Sequence, residues 1–140
     1  MKILLAVDGS TYTKKMLAYL ATHDEMFGPN NAISMITVQA PLPPRARAAV
    51  GAAAANEYYE EESRKVTSAV AKFLKRHGID AKAIHKVGSP GEQISKVADA
   101  GKFDLVVMGS HGHSALGNLV MGSVATQVLA HCGVPVLLVR

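Results

Sequence analysis

Five short apolar runs alternate with stretches of helical periodicity along this chain, and no other feature constrains its fold as strongly. Residues 2–8, KILLAVD, form an almost continuous apolar run closed by an acid and a glycine, the pattern of a strand buried on both faces. Ser10 or Thr11 then offers an N-cap to KKMLAYLATHDEM, where Met16, Leu17, Leu20 and Met26 recur at helical spacing until Gly28 and Pro29 stop the helix. AISMITVQ, β-branched and apolar, is the second strand. Residues 40–55 carry three prolines early, which oppose regular structure, and alanines late, which favour helix. They predict a mobile loop running into a second helix over about residues 52–77, with Val66, Val70, Phe73 and Leu74 as its apolar stripe and Gly78 as its end.

DAKAIHKVG alternates more and is less apolar, as expected of a strand near a sheet edge. SPGEQISKVADAG opens on a proline suited to a first helical turn and ends at Gly101, giving a short third helix. FDLVVMG is the most hydrophobic strand after the first and is expected to be central. A polar, glycine-rich loop follows, then a helix within about 121–132, then VPVLLVR as the last strand.

Strand and helix therefore alternate from end to end, which predicts an α/β fold: a doubly wound parallel sheet of five strands with helices on both faces and right-handed crossovers. In such sheets ligands sit outside the carboxyl ends of the strands, where the winding reverses. The first and fourth strands are the natural neighbours there, so VDGS (7–10) and MGSHG (108–112) are expected to meet across one crevice.

At 140 residues the chain fits one domain, 1–140, and 49% hydrophobic with 19% charged residues is the balance of a globular protein, not a disordered one. No apolar stretch approaches the roughly 18 residues of a spanning helix. Asp8 interrupts the N-terminal run before it reaches signal-peptide length, and the lone Cys132 cannot form an internal disulfide, so a cytoplasmic protein without a membrane partner is expected. The formal charge of +4 is spread along the chain, which argues against nucleic acid and suits a small anionic ligand.

The loop GSHGHSALGNLVMGS (109–123) carries the functional signal. Glycines allow positive φ and bare amides, successive amides make an anion-binding concavity, and a helix N-terminus adds unpaired N–H groups. Gly109 and Gly112 would shape the turn, Gly122 and Ser123 would open the next helix, and a branched side chain at 122 would fill the phosphate space. Competing motifs fail. There is no G-x-x-x-x-G-K-[ST] and no G-x-G-x-x-G after the first strand, and MGSHG does not frame Ser110 as a nucleophile elbow. The pairs His111/His113 and His131/Cys132 lack the spacing of a structural zinc site, which leaves His111 as a ligand or loop contact and His113 as a surface residue. Asp8 either caps the following helix or binds a ribose hydroxyl, an adenine amino group or magnesium.

The spacing Gly109, Gly112, nine residues, Gly122 and Ser123 fits the G-2x-G-9x-G-[ST] pattern of universal stress proteins, and ILLAVDGS, VGSPGEQI, DLVVMGSHG and PVLLVR resemble that family in the same order. The resemblance covers the chain except about residues 40–56. It implies a sheet of order 3-2-1-4-5 and membership of the ATP-binding branch, with ATP and Mg2+ as cofactors and no catalytic residue. By the same resemblance Asp8 and Val38 would contact the adenosine and Ala6 and Val7 would line its pocket. Met108 and Gly109 would border ribose and phosphates, and Gly112, Gly122, Ser123 and Val124 would hold the phosphates. It further implies a stress-response regulator, homodimeric through the last strand with tetramers as the higher assembly, whose nucleotide-dependent surface is read by a protein partner. Arg45 and Arg47 are expected in solvent. The alternatives are a hydrolase or transferase acting at the α-phosphate, with His111 as its acid or base, and a nucleotide-free interaction module.

Overall fold

A computed structural model describes residues 1–112 and 121–140; His113, expected on the surface, lies outside the described residues. The strands are β1 (Lys2–Ala6), β2 (Ala32–Gln39), β3 (Ala81–Val87), β4 (Leu105–Gly109) and β5 (Val136–Val139), and the helices are α1 (Thr11–Ala21), α2 (Asp24–Phe27), α3 (Pro44–Val50), α4 (Ala52–Arg76), α5 (Pro90–Ala100) and α6 (Ser123–His131). All strand pairings are parallel and the sheet order is β3-β2-β1-β4-β5, as the family resemblance implied.

Burial on both faces is what makes β1 read as a continuous apolar run. Ile3, Leu5 and Val7 pack on one side with Met16, Leu17 and Leu20 of α1, Val70 and Leu74 of α4, and Phe27 of α2. Leu4 and Ala6 pack on the other with Ile94 and Ala98 of α5 and Ala125 and Val128 of α6. A Leu5→Ala substitution removes a fully buried side chain from the first layer and is expected to cost about 2–5 kcal/mol. Chemical denaturation checks this, and a midpoint equal to wild type would contradict the layer assignment.

Two expectations need correction. The first helix does not run on to Met26. It ends at Ala21, where the Thr22 hydroxyl donates to Ala18 O (3.2 Å) and Tyr19 O (3.0 Å), taking up the carbonyls that a further turn would use. The stretch 40–55 is not simply loop, because α3 forms within it. Pro44 occupies the first turn, where a missing N–H is harmless, and Gly51 at φ 84° separates α3 from α4. The start of that stretch is also tied down, since Leu42 N–H donates to the hydroxyl of Tyr59 on α4 (2.8 Å).

Sheet order places the winding reversal between β1 and β4, where Ala6 pairs with Met108 in register. The β1–α1 turn and the loop after β4 leave the sheet side by side at that point.

Candidate functional site

A cavity of about 200 Å³ opens at this switch point. Ala6, Val7, Asp8, Val38, Met108, Gly109, His111, Gly112, Gly122, Ser123 and Val124, the residues singled out above, all line it. So do Thr13, Ile36, Pro90, Ile94 and Ala125, which the sequence reading missed. Pro90 and Ile94 belong to the VGSPGEQI segment, whose order was noticed but whose residues were not carried to the site. Together Ile36, Val38, Ile94 and Met108 give the cavity an apolar wall, while its polar groups converge from β1 and from the two halves of the glycine loop.

The β1 side is built by Asp8, whose Oδ1 accepts from Ser10 N–H (2.9 Å) and from the Thr13 hydroxyl (2.8 Å). Gly9 supplies the positive φ of 76° that this tight turn needs. Ser10, not Thr11, is the N-cap of α1 and accepts from Thr13 N–H (3.4 Å). Asp8 therefore organises the turn into α1, whose N-cap is Ser10, and also lines the cavity.

The loop after β4 is tied down by its backbone: Ser110 N–H donates to Val139 O of β5 (2.9 Å), and Gly122 N–H donates to Ser110 O (2.7 Å) and so joins the two ends of the loop. Gly109 and Gly112 are required for room, not for positive φ, which neither adopts. This corrects the expectation that they shape a turn by left-handed backbone. A Cβ on Gly109 would lie 2.6 Å from Tyr12 Cβ, so α1 can lie against β4 only with glycine there. A Cβ on Gly112 would lie 2.8 Å from Asp8 Oδ2, and one on Gly122 would lie 3.1 Å from His111 Cα and 3.3 Å from Ser110 O. The Gly122 neighbours are loop backbone, so a side chain at 122 would first push apart the two halves of the loop instead of filling phosphate space. A Gly109→Val variant is expected to lose about 1–3 kcal/mol of stability through the forced displacement of α1; an unchanged melting temperature would contradict this.

Gly122 is also the N-cap of α6 and, as a glycine, has no side chain to cap that helix. The amides of Ser123, Val124 and Ala125 find no acceptor among the described residues. With the positive end of the helix dipole behind them they lie at the cavity, and such a helix start is suited to an anion. His111 is held beside it, its Nδ1 2.9 Å from the buried Ser110 Oγ and its ring 4.7 Å from that of Tyr12, over which Lys15 lies.

Val38 presents its backbone at the cavity. Bonds from β2 to β1 run through even-numbered residues, with Ala32 N–H donating to Met1 O and Val7 N–H to Ile36 O, whereas Gly88 N–H reaches Gln39 O on the β3 side. Val38 is one step beyond the last bond to β1, so its N–H and C=O turn toward the crevice.

Among the described residues no group of three or more His, Cys, Asp or Glu is placed to hold a metal, and no helix is long and apolar enough to cross a membrane. Cys132 lies away from the cavity, just beyond α6. Burial pushes its thiol above the ordinary value and the nearby Asp99 carboxylate adds to the rise, against a lowering contact from the Val134 backbone. Iodoacetamide is therefore expected to alkylate Cys132 of the folded protein more slowly at pH 7 than a free cysteine and to accelerate only as pH passes the ordinary thiol range; alkylation at the free-cysteine rate would contradict that environment.

Comparison with known proteins fits this architecture. The family profile described as "Universal stress protein family" matches residues 1–140. Over 139 residues the chain is 30% identical to the Thermus aquaticus "universal stress protein in QAH/OAS sulfhydrylase 3'region", covering 99% of this chain and 97% of that one. It is 36% identical over 85 residues to universal stress protein MJ0577 of Methanocaldococcus jannaschii, a match covering 61% of this chain and 52% of that protein. With universal stress protein Slr1230 of Synechocystis it shares 31% identity over 140 residues, 99% of this chain and 42% of that protein, so the matched segment spans about half the length of these two relatives. The solved structure of MJ0577 superposes with a TM-score of 0.76 at 30% identity, covering 99% of this chain and 94% of that one. The same fold occurs in the universal stress protein of Archaeoglobus fulgidus solved in complex with dAMP (TM-score 0.68, 20% identity, 100% and 98% covered). It occurs again in an Arabidopsis thaliana family protein with AMP bound (TM-score 0.69, 18% identity, 99% and 90% covered). The fold, the glycine spacing and the match along the whole chain agree: this chain belongs to the universal stress protein family.

Proposed function

We propose that the chain binds an adenine nucleotide, ATP with Mg2+, at the switch-point cavity and works as a nucleotide-dependent regulator in the stress response. The observation that carries this reading is the convergence on one cavity of an apolar wall, the Val38 backbone edge and the bare amides of α6. The base lies between Ile36, Val38, Ile94 and Met108, with its N6 amino group donating to Val38 O and its N1 accepting from Val38 N–H. The enclosed volume is below the roughly 300–1,000 Å³ of drug-sized sites, which suits one ring system inside and a charged tail outside. That tail meets the amides of Ser123 and Val124 and the Ser123 hydroxyl, with Gly112 and Gly122 keeping the approach clear. Relatives of the same fold solved with dAMP and AMP support an adenine ligand.

Mg2+ would be held by phosphate oxygens and water, with the Asp8 carboxylate and the Ser123 hydroxyl as the protein groups at hand, and it would neutralise phosphate charge. No lysine or arginine is among the residues lining the cavity. Without a described lysine or arginine beside the phosphates to act with the metal on transferring charge, hydrolysis is expected to be slow.

The chain pairs with a second copy along β5. β3, the other edge, carries Lys82 and Lys86, charges that discourage edge pairing, whereas β5 is Val-Leu-Leu-Val and only half-buried. A protein partner reading the nucleotide state completes the regulatory scheme. To test the nucleotide reading, the purified protein is denatured and its supernatant chromatographed, and stripped protein is titrated with ATP. Adenine nucleotide in the supernatant or on titration supports the reading, and neither one would end it. Rapid multiple turnover by the pure protein would replace the regulator with an enzyme.

A further inference from the structure

We propose that Thr13 is the positioning residue of the site, its hydroxyl holding the Asp8 carboxylate in the orientation in which the nucleotide meets it. This rests on the nucleotide reading above. The Thr13 hydroxyl does two things at once: it accepts from Asp8 N–H (3.1 Å) and donates to Asp8 Oδ1 (2.8 Å). Because its lone pair is engaged by the backbone amide, its proton is directed at the carboxylate, and the resulting ring fixes the Asp8 side-chain torsions. Ser10 N–H adds a second donor to the same oxygen (2.9 Å). Both donors address the same carboxylate oxygen. They also set the rotation that turns Oδ2 toward the glycine loop, 2.8 Å from the position a Gly112 Cβ would take.

Thr13 is buried and lines the cavity itself, and its own amide is anchored by Ser10 Oγ, so the hydroxyl has little freedom to turn away. The rigid start of α1 thus presents the one carboxylate among the lining residues in a preset direction, which removes the ordering cost a loose side chain would add to binding.

The test compares Thr13→Val, which keeps the shape and removes the hydroxyl, with Thr13→Ser, which keeps the hydroxyl, each alone and with Asp8→Ala. ATP affinity is measured by calorimetry and the melting temperature of nucleotide-free protein is read in parallel. Loss of one net hydrogen bond's worth of positioning predicts an affinity about tenfold weaker for Thr13→Val. Affinity within about twofold of wild type is expected for Thr13→Ser, which retains the donor. In the Asp8→Ala background Thr13→Val is expected to have no further effect on affinity, because the group it positions is gone. Wild-type affinity in Thr13→Val, or the same tenfold loss with and without Asp8, would overturn the proposal even if the melting temperature falls. If wild-type protein itself binds no adenine nucleotide, the failure lies in the nucleotide reading.

Discussion

Replacing Gly122 by valine is expected to weaken ATP binding by at least about 100-fold, the loss of two hydrogen bonds to charged groups at about 1.5–3 kcal/mol each. The backbone of Gly122, at φ −75° and ψ 164°, suits any residue, so the substitution causes no torsional strain. Its effect is steric and local. The new Cβ meets His111 Cα at 3.1 Å and Ser110 O at 3.3 Å, and the added methyl groups need more space than that. The 2.7 Å bond from Gly122 N–H to Ser110 O must lengthen, and the first amides of α6 move away from the cavity they rim. The open edge of β5 is not touched, so the oligomeric state should remain that of the wild type. Calorimetry checks the affinity and sedimentation the assembly. Unchanged affinity would show that the loop is not the phosphate cradle.

A preference for ATP over GTP of about 100-fold or more is the second large effect expected. Adenine offers an amino donor and a ring-nitrogen acceptor to the Val38 C=O and N–H, whereas guanine reverses both groups. Each mismatched pair leaves a polar group of the crevice facing its own kind, at about 1–3 kcal/mol apiece, and two such penalties multiply. The discrimination resides in the backbone, so Val38→Ile should keep it and changes of base should not. Competition titrations with GTP measure it directly. Equal affinity for the two nucleotides would remove Val38 from the recognition scheme.

The fold was legible because burial on both faces leaves a plain mark: KILLA and LVVM read as central strands in an alternating chain, while the full strand order came from the resemblance to the universal stress protein family. Helix breaks were harder. The end of α1 at Thr22 is made by a side-chain hydroxyl competing for carbonyls, and α3 begins on a proline that reads equally well as a loop. At the site, the glycine spacing pointed to a loop that lines the cavity, but the reason for two of the glycines was misjudged. Gly109 and Gly112 make way for Tyr12 and Asp8, partners about 100 residues distant in sequence, and no local pattern records such an approach. Thr13 escaped notice for a similar reason. A hydroxyl in a first helical turn looks like a capping residue until its proton is seen to point at Asp8.

The direct test of the account is calorimetric titration of nucleotide-stripped protein with ATP, with and without Mg2+. The account predicts saturable binding of one ATP per chain, weakened by both Gly122→Val and Thr13→Val. No saturable heat up to millimolar ATP under either condition, from protein shown to be folded by its melting transition, would contradict it.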